Sequence, residues 1–403
     1  MGIVKSMMMR DEDRGWSDPE KYVCRACVDD DYLRMVVRMN LTANRCDYCD
    51  GRRKAAPVEA ILEPIARALF TEFNDYENAG CPYGRDVPDI PMSLTVDALQ
   101  CLPLECNENL LADIADAFVN DQWVEAPGGS WMGSREHEEL GWSWRRFVEV
   151  IKHETRFHFG SVNDDSTRGH GEIKVSEVLP TIGHMVGRQG MVVVVKEGTT
   201  LYRVRPRTAD AVWALTADQL GAPPPSKAPA GRMNPAGIAY LYTSLDEATA
   251  VAETVARPPA TLAISSWQAT RKLLVIDFTK LPEIPSVFDV ENRRKREALL
   301  FLRDFIDDIA QPIQKDGSEH IDYVPSQVVS EFFAQSFTLP GDGRRIDGLK
   351  YPSAVRPGGE NLVLFPAKGH VRERFDKVKF GTASERTFAD QFALMEFIKP
   401  RNR

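Results

Sequence analysis

Residues 231–253 read GRMNPAGIAYLYTSLDEATAVAE and hold three kinds of local structure in a short space. The glycine- and proline-rich start predicts a turn. The run of β-branched and aromatic residues at 238–243 predicts a strand. Ser244 stands three residues before Glu247, which is the spacing of a capping box and predicts that a helix starts at this serine. The stretch therefore predicts a turn, a strand and a helix in direct succession.

Three side chains of this stretch carry useful chemistry. Arg232 lies in the predicted turn, Tyr242 at the end of the predicted strand and Glu253 on the predicted helix. Taken singly, each has a simpler interpretation as a turn arginine, a half-buried tyrosine or a solvated glutamate. Their combination within one turn–strand–helix unit calls for a second interpretation.

An arginine, a tyrosine ten positions on and a glutamate eleven further resemble the core of the RES domain, a family named for its Arg, Glu and Ser. The resemblance extends to LYRV at 201–204 as the opening strand. It also includes KYPSA at 350–354, followed by 361–365, as the closing serine segment. It covers about residues 200–370. It implies an ADP-ribosyltransferase-like fold, in which two small sheets are split around a cleft, and toxins that hydrolyse NAD or transfer its ADP-ribose.

The three side chains suit the cleavage of NAD. Arg232 can hold a pyrophosphate through two parallel, charge-assisted hydrogen bonds. Tyr242 offers a flat face to a nicotinamide or adenine ring, and Glu253 can stabilise an oxocarbenium-like state at the ribose. Nicotinamide is already cationic while it is bonded to the ribose, so it needs no general acid in order to leave, and one carboxylate is sufficient. Arg203 is expected as a second phosphate or ribose contact, and Ser353 as a hydrogen-bond donor to the ribose or to Glu253.

Two other activities of the same site stay open. Arginine-modifying ADP-ribosyltransferases often carry a second Glu or Gln two residues before the catalytic glutamate. This chain has Val251 there, which favours an NAD glycohydrolase over a transferase that modifies a cellular protein. A non-catalytic module that binds NAD or ADP-ribose is the third alternative.

Four cysteines form two CxxC pairs, Cys24 with Cys27 and Cys46 with Cys49, separated by eighteen residues. This spacing is typical of zinc ribbons and zinc knuckles, in which two CxxC turns make one closed tetrahedral site. A closed site leaves no position for water, so the predicted zinc is structural. The odd total of seven cysteines, with four in CxxC pairs of metal-binding type, also indicates a reducing, cytoplasmic location and not a disulfide framework.

The region before the RES-like part is predicted to be helical, because apolar residues recur at helical spacing in 57–80, 109–119 and 142–155. The opening residues 1–24 resemble the start of the HEPN/RES N-terminal domain. That resemblance implies a second possible chemistry, since HEPN ribonucleases carry an Arg and a His on a helix with four to six residues between them.

Arg146 and His153 have six residues between them and fit this ribonuclease pattern. The pattern is loose, and a salt-bridged or domain-contacting pair is the preferred interpretation. The N-terminal domain is therefore expected to regulate or locate the RES domain.

The whole chain has 403 residues, 43% of them hydrophobic and 27% charged, which predicts a soluble α+β protein of several domains. We place a zinc module at 1–55, a helical HEPN-like domain at 56–165 and the RES domain at 190–385. The net charge of −9 argues against nucleic acid as the main ligand. No long uncharged apolar run or apolar leader is seen, so neither a membrane span nor a signal peptide is expected.

A cytosolic enzyme that destroys NAD must be restrained. Compact RES toxins are paired with a helix-turn-helix antitoxin of the Xre type, so the resemblance implies such a partner. The additional N-terminal domain also allows restraint within the chain itself.

Overall fold

The chain forms two compact units, residues 1–139 with 283–300 and residues 140–282 with 301–403. The computed structural model describes residues 9, 11, 13–49, 51–82, 90–162, 169, 171–207, 214–255, 257–311, 317–366 and 376–399. Within the opening stretch 1–24, residues 1–8, 10 and 12 lie outside the described residues. The domain boundaries placed from the sequence stay a prediction.

The first unit is mainly helical. Its helices are Asp31–Met39, Glu59–Glu72, Thr95–Cys101 and Glu108–Ala117. Its strands are β1 (Tyr22–Val23), β2 (Ala56–Pro57), β3 (Phe73–Asn74), β4 (Met92–Leu94) and β5 (Gln122–Glu125). Strand β1 pairs with β2, and β5 lies between β3 and β4.

The helix Glu59–Glu72 confirms the prediction made from the apolar spacing of 57–80. Ile61 and Leu62 are followed by Ile65 four and three residues later and by Leu69 after another four, so all four share one face of the helix. All four are fully buried in the core of the first unit. Burial of this face therefore stabilises the helix.

The second unit contains most of the remaining elements. Six of its helices are Val175–Arg188, Ala217–Leu220, Glu247–Thr254, Glu319–Asp322, Val324–Gln335 and Gln391–Ile398. The helix Glu136–Glu149 belongs to this unit from residue 140 and continues as a π-helical turn, Val150–Glu154. The helix Arg293–Ala310 belongs to it from residue 301. The strands are β6 (Val192–Val195), β7 (Thr200–Arg207), β8 (Leu241–Ser244), β9 (Ala260–Ala269), β10 (Leu273–Asp277), β11 (Gly348–Pro352), β12 (Glu360–Leu364) and β13 (Val378–Phe388). No helix among the described residues is both long enough and apolar enough to cross a membrane.

These eight strands form a sheet in the order β13-β9-β7-β8-β12-β11-β10-β6. Strands β10 and β11 are parallel, and the other neighbours are antiparallel. Only one residue pair, Tyr202 with Ser244, joins β7 to β8. The α+β class is confirmed. The strands form one continuous sheet and not the two small sheets that were expected, although β7 and β8 within it share a single residue pair.

The start of the helix that carries Glu253 differs from the sequence prediction. The helix is Glu247–Thr254, and its N-cap is Asp246, whose carboxylate accepts a hydrogen bond from the Thr249 amide at 2.9 Å. Ser244 is instead the last residue of β8, where it pairs with Asn361 of β12. The capping box at Ser244 is therefore wrong, because strand pairing uses this residue and the equally good cap Asp246 follows it.

Candidate functional site

A cavity of about 440 Å³ lies in the second unit, lined by parts of β7, β8, β11 and β12. Arg232, Tyr242 and Glu253 all line it, and Arg203 does so too. The structure thus brings four of the five predicted NAD-site residues to one cavity. Their roles in catalysis and binding stay a prediction.

Glu253 is exposed and lines this cavity, and one of its carboxylate oxygens is hydrogen-bonded to the protein. Its Oε1 accepts a hydrogen bond from the Asn361 side-chain amide at 2.6 Å. The Asn361 Oδ1 in turn accepts one from the Ser244 hydroxyl at 2.7 Å. Ser244 and Asn361 are each 3% exposed, so the chain of hydrogen bonds that orients Glu253 is itself well shielded from water.

Tyr242 fixes the turn that carries Arg232. Its hydroxyl accepts a hydrogen bond from the Met233 amide at 2.9 Å and donates one to the Asn234 side chain at 2.7 Å. Burial raises the pKa of Tyr242, so this hydroxyl stays protonated and can donate. The hydroxyl therefore has a structural use in addition to any contact that the ring makes.

Arg232 has few strong partners within the protein. Its guanidinium donates to the Ile309 carbonyl at 3.3 Å, which is long for an N–H···O bond. Its backbone carbonyl accepts from the Ser326 hydroxyl at 2.6 Å. The backbone is therefore firmly fixed, and little energy opposes a new contact of the guanidinium with an anion.

Arg203 is more firmly bound to the protein. Its guanidinium donates to the Tyr242 carbonyl at 2.8 Å and to the Leu220 carbonyl at 3.1 Å. Burial, assisted by the nearby Arg205, lowers the pKa of Arg203 to about 10. The group remains positively charged at neutral pH and contributes a fixed positive charge to the cavity.

Ser353 is not among the residues that line the cavity. Its hydroxyl accepts hydrogen bonds from the Arg356 amide at 3.0 Å and the Val355 amide at 3.3 Å. These bonds close the turn after β11, so the hydroxyl serves the local backbone. A contact between Ser353 and ribose or Glu253 stays a prediction that these bonds do not favour.

Four lining residues that we did not predict form one row across the sheet. Tyr202 pairs with Ser244, Ser244 with Asn361, and Asn361 with Tyr351, on strands β7, β8, β12 and β11. Burial raises the pKa of Tyr351 as well. Tyr202 lies in the segment LYRV and Tyr351 in the segment KYPSA. Their positions opposite Ser244 and Asn361 depend on the strand register, which could not be predicted from the sequence.

Family comparison agrees with this geometry. Residues 200–384 match the family model of the RES domain. The chain carries a RES domain. Residues 39–165 match the model of HEPN/RES N-terminal domain 1, so such a domain precedes the RES domain as expected. The match does not include residues 1–24, so the resemblance of these opening residues stays a prediction. No curated protein matches the chain.

RES domains are associated with toxins that act on NAD. The match therefore supports the expectation that the chain is of the kind found in toxins that act on NAD.

The four predicted metal ligands lie together in the first unit. The Sγ atoms of Cys24, Cys27, Cys46 and Cys49 are all within 4.8 Å of one another. Three of these separations are 3.8, 3.7 and 3.8 Å. Four sulfurs placed tetrahedrally about 2.3 Å from a zinc ion lie about 3.8 Å apart. The donor set and its spacing therefore fit a tetrahedral zinc ion.

The HEPN-like pair lies at the end of a helix. The Arg146 guanidinium forms an ion pair with Glu154 at 2.5 Å, and His153 is exposed. In a regular α-helix, residues seven apart such as Arg146 and His153 lie on nearly the same face. The π-helical turn Val150–Glu154 increases the angle between these two side chains around the helix axis. The salt-bridged interpretation of Arg146 is thus observed, and a ribonuclease role of the pair stays an untested alternative.

Replacing His153 by alanine is expected to leave growth arrest unchanged when the chain is expressed in cells, since the histidine is exposed and does not line the cavity. Colony counts after induction, with Glu253→Gln as the matched inactive variant, measure this. Loss of arrest in His153→Ala, with NAD cleavage intact in the purified variant, would support the ribonuclease instead.

Proposed function

We propose that the chain is an NAD glycohydrolase, which cleaves the nicotinamide–ribose bond of NAD and thereby arrests growth. The observation that carries the proposal is one cavity of a RES domain that holds an exposed carboxylate, Glu253, together with two arginines, Arg203 and Arg232. An anionic dinucleotide with a cationic leaving group needs both kinds of charge.

The reaction needs no general acid. The bond between the ribose C1′ and the nicotinamide nitrogen breaks, and its electron pair leaves with nicotinamide, which becomes neutral. The carboxylate of Glu253 stabilises the positive charge that develops on the ribose. Water then adds to C1′ and loses a proton to the carboxylate or to solvent, which gives ADP-ribose.

The two arginines contribute to pyrophosphate binding in different ways. Arg232 has only one long hydrogen bond from its guanidinium within the protein, so it is the better candidate for the two parallel bonds to phosphate oxygens. Arg203 is held by two backbone carbonyls and supplies charge from a fixed position. Tyr242, Tyr202 and Tyr351 offer aromatic surface to the bases of NAD.

Hydrolysis is favoured over transfer to a protein by the residue at 251. Val251 is 0% exposed and packs in a core cluster with Leu262 and Ile264. It thus offers no polar group that could orient an acceptor side chain near Glu253. Water is then the available nucleophile.

Incubation of the purified chain with NAD labelled in its adenine tests the proposal. Equal amounts of free nicotinamide and free labelled ADP-ribose are expected. Label attached to protein after addition of a cell lysate would identify a transferase. Binding of NAD without release of nicotinamide would identify a non-catalytic module and overturn the proposal.

Replacing Arg232 by alanine is expected to weaken NAD binding about 10- to 150-fold, since a hydrogen bond to a charged group contributes about 1.5–3 kcal/mol. Arg232→Lys should recover only part of this loss because lysine lacks the planar fork. Calorimetric titration with NAD measures both, with Glu253→Gln present in every protein compared so that NAD is not cleaved during the titration. Arg345→Ala, an exposed arginine outside the cavity lining, is the control. Full binding by Arg232→Ala would contradict the assignment.

Restraint of the activity follows from its toxicity. An Xre-type antitoxin or the N-terminal domain of the same chain would provide it. Full activity of the purified chain alone would favour the separate partner, because restraint within the chain would persist after purification.

A further inference from the structure

The hydrogen bonds at Glu253 have a direction that the residue types impose. The Asn361 side chain has one oxygen that accepts and one nitrogen that donates. The Ser244 hydroxyl donates to the oxygen, so the nitrogen faces Glu253. The opposite orientation of the amide would place its oxygen at the Glu253 Oε1, where two acceptors repel each other.

The strand register holds this arrangement in place. Asn361 and Ser244 are directly opposite each other on β12 and β8, and the helix Glu247–Thr254 brings Glu253 to the same cavity. Because both strand residues are almost fully buried, water does not compete well for their hydrogen bonds. The contact engages Oε1 of Glu253 and not Oε2.

We propose that Asn361, oriented by Ser244, is a positioning residue that fixes the Glu253 carboxylate where it can stabilise the positive charge that develops on the ribose. The proposal rests on the proposed NAD cleavage. Asn361 does not react itself, and its effect is transmitted through the orientation and charge of Glu253.

Two substitutions of Asn361 separate this role from a merely structural one. Asn361→Ala should lower kcat up to about 10²-fold, the cost of a misplaced catalytic group, with KM changed by less than about threefold. Asn361→Asp should place two carboxylates within hydrogen-bond distance, where both cannot easily ionise. Activity should then be lost at a higher pH than in the wild type as the pH falls, by more than about one pH unit.

Ser265→Ala is the matched control. Ser265 is 1% exposed and donates a hydrogen bond to the Arg203 carbonyl within the same sheet, but it does not line the cavity. This variant loses a buried serine hydroxyl, so a loss of stability is common to both substitutions. Its pH–rate profile should match the wild type. An unshifted profile for Asn361→Asp, or wild-type kcat for Asn361→Ala, would overturn the proposal.

Nuclear magnetic resonance of the Asn361 side chain tests its contact with Glu253 separately from NAD cleavage. It needs no turnover and does not require Asn361→Asp to fold. The side-chain amide resonances of Asn361 should shift with pH in the wild type, as Glu253 gains a proton, and should not shift in Glu253→Gln. If the wild type releases no nicotinamide but this shift is present, the NAD proposal fails and the contact is supported. If the shift is absent, the positioning role fails.

Discussion

Replacing Glu253 by glutamine is expected to lower kcat for NAD cleavage about 10²- to 10³-fold. Glutamine keeps the shape of the side chain and can still bond to Asn361 after the amides adjust, but it carries no negative charge. One electrostatic contact to a transition state typically contributes about 2.7–4 kcal/mol. The loss should therefore appear in kcat, while the Kd for NAD stays near the wild-type value.

The control for this substitution is Glu247→Gln. Glu247 belongs to the same helix, in its first turn, and does not line the cavity. Both variants lose one negative charge from one helix, so a difference between them isolates the position of the charge. Steady-state rates of nicotinamide release decide the matter, and wild-type kcat in Glu253→Gln would remove Glu253 from the mechanism.

Loss of the metal from the four-cysteine cluster is expected to have the largest effect on stability. Structural zinc contributes about 10–16 kcal/mol in small zinc modules at neutral pH. Cys46 is buried within the cluster, so Cys46→Ser should release the ion and unfold the segment around it. NAD cleavage per folded molecule should stay unchanged, because the cavity residues all belong to the second unit.

Elemental analysis and thermal unfolding measure this prediction. The wild type should carry one zinc ion per chain, and Cys46→Ser should carry much less and unfold at a lower temperature. Cys101→Ser, an exposed thiol outside the cluster, serves as the control. Metal-free wild-type protein that unfolds at the same temperature as the zinc-loaded protein would contradict a structural ion.

The parts of the site that are local in sequence could be predicted. Arg232, Tyr242 and Glu253 lie within one turn–strand–helix unit, so their spacing limits how far apart they can be. The CxxC pairs were equally informative, because each pair fixes two ligands on one turn. In both cases short-range geometry carries most of the information.

The rest of the site depends on register between distant segments. Ser244 and Asn361 are 117 residues apart and meet only because β8 and β12 pair with these two residues opposite each other. A shift of one residue would turn Asn361 to the other face of the sheet. The sequence signals of a capping box and of a serine segment pointed instead to Ser244 as a helix cap and to Ser353 as a ligand contact.

The C-terminal part shows the same limit. Strand β13 (Val378–Phe388) pairs with β9 along most of its length, and the helix Gln391–Ile398 follows it. Strand β13 is at an edge of the sheet, and most of its side chains are exposed or partly exposed. It therefore lacks the apolar pattern by which a buried strand is recognised.

The central claim is that NAD binds in this cavity with its nicotinamide ribose at Glu253. A crystal structure of Glu253→Gln with NAD tests it most directly, since the variant should bind NAD and cleave it slowly. The distance to measure is that from the side chain at position 253 to the ribose C1′. We expect about 3–3.5 Å, as in a near-attack arrangement, with the pyrophosphate on Arg232. A well-ordered NAD molecule outside this cavity, or one inside it with the ribose directed away from position 253, would contradict the account.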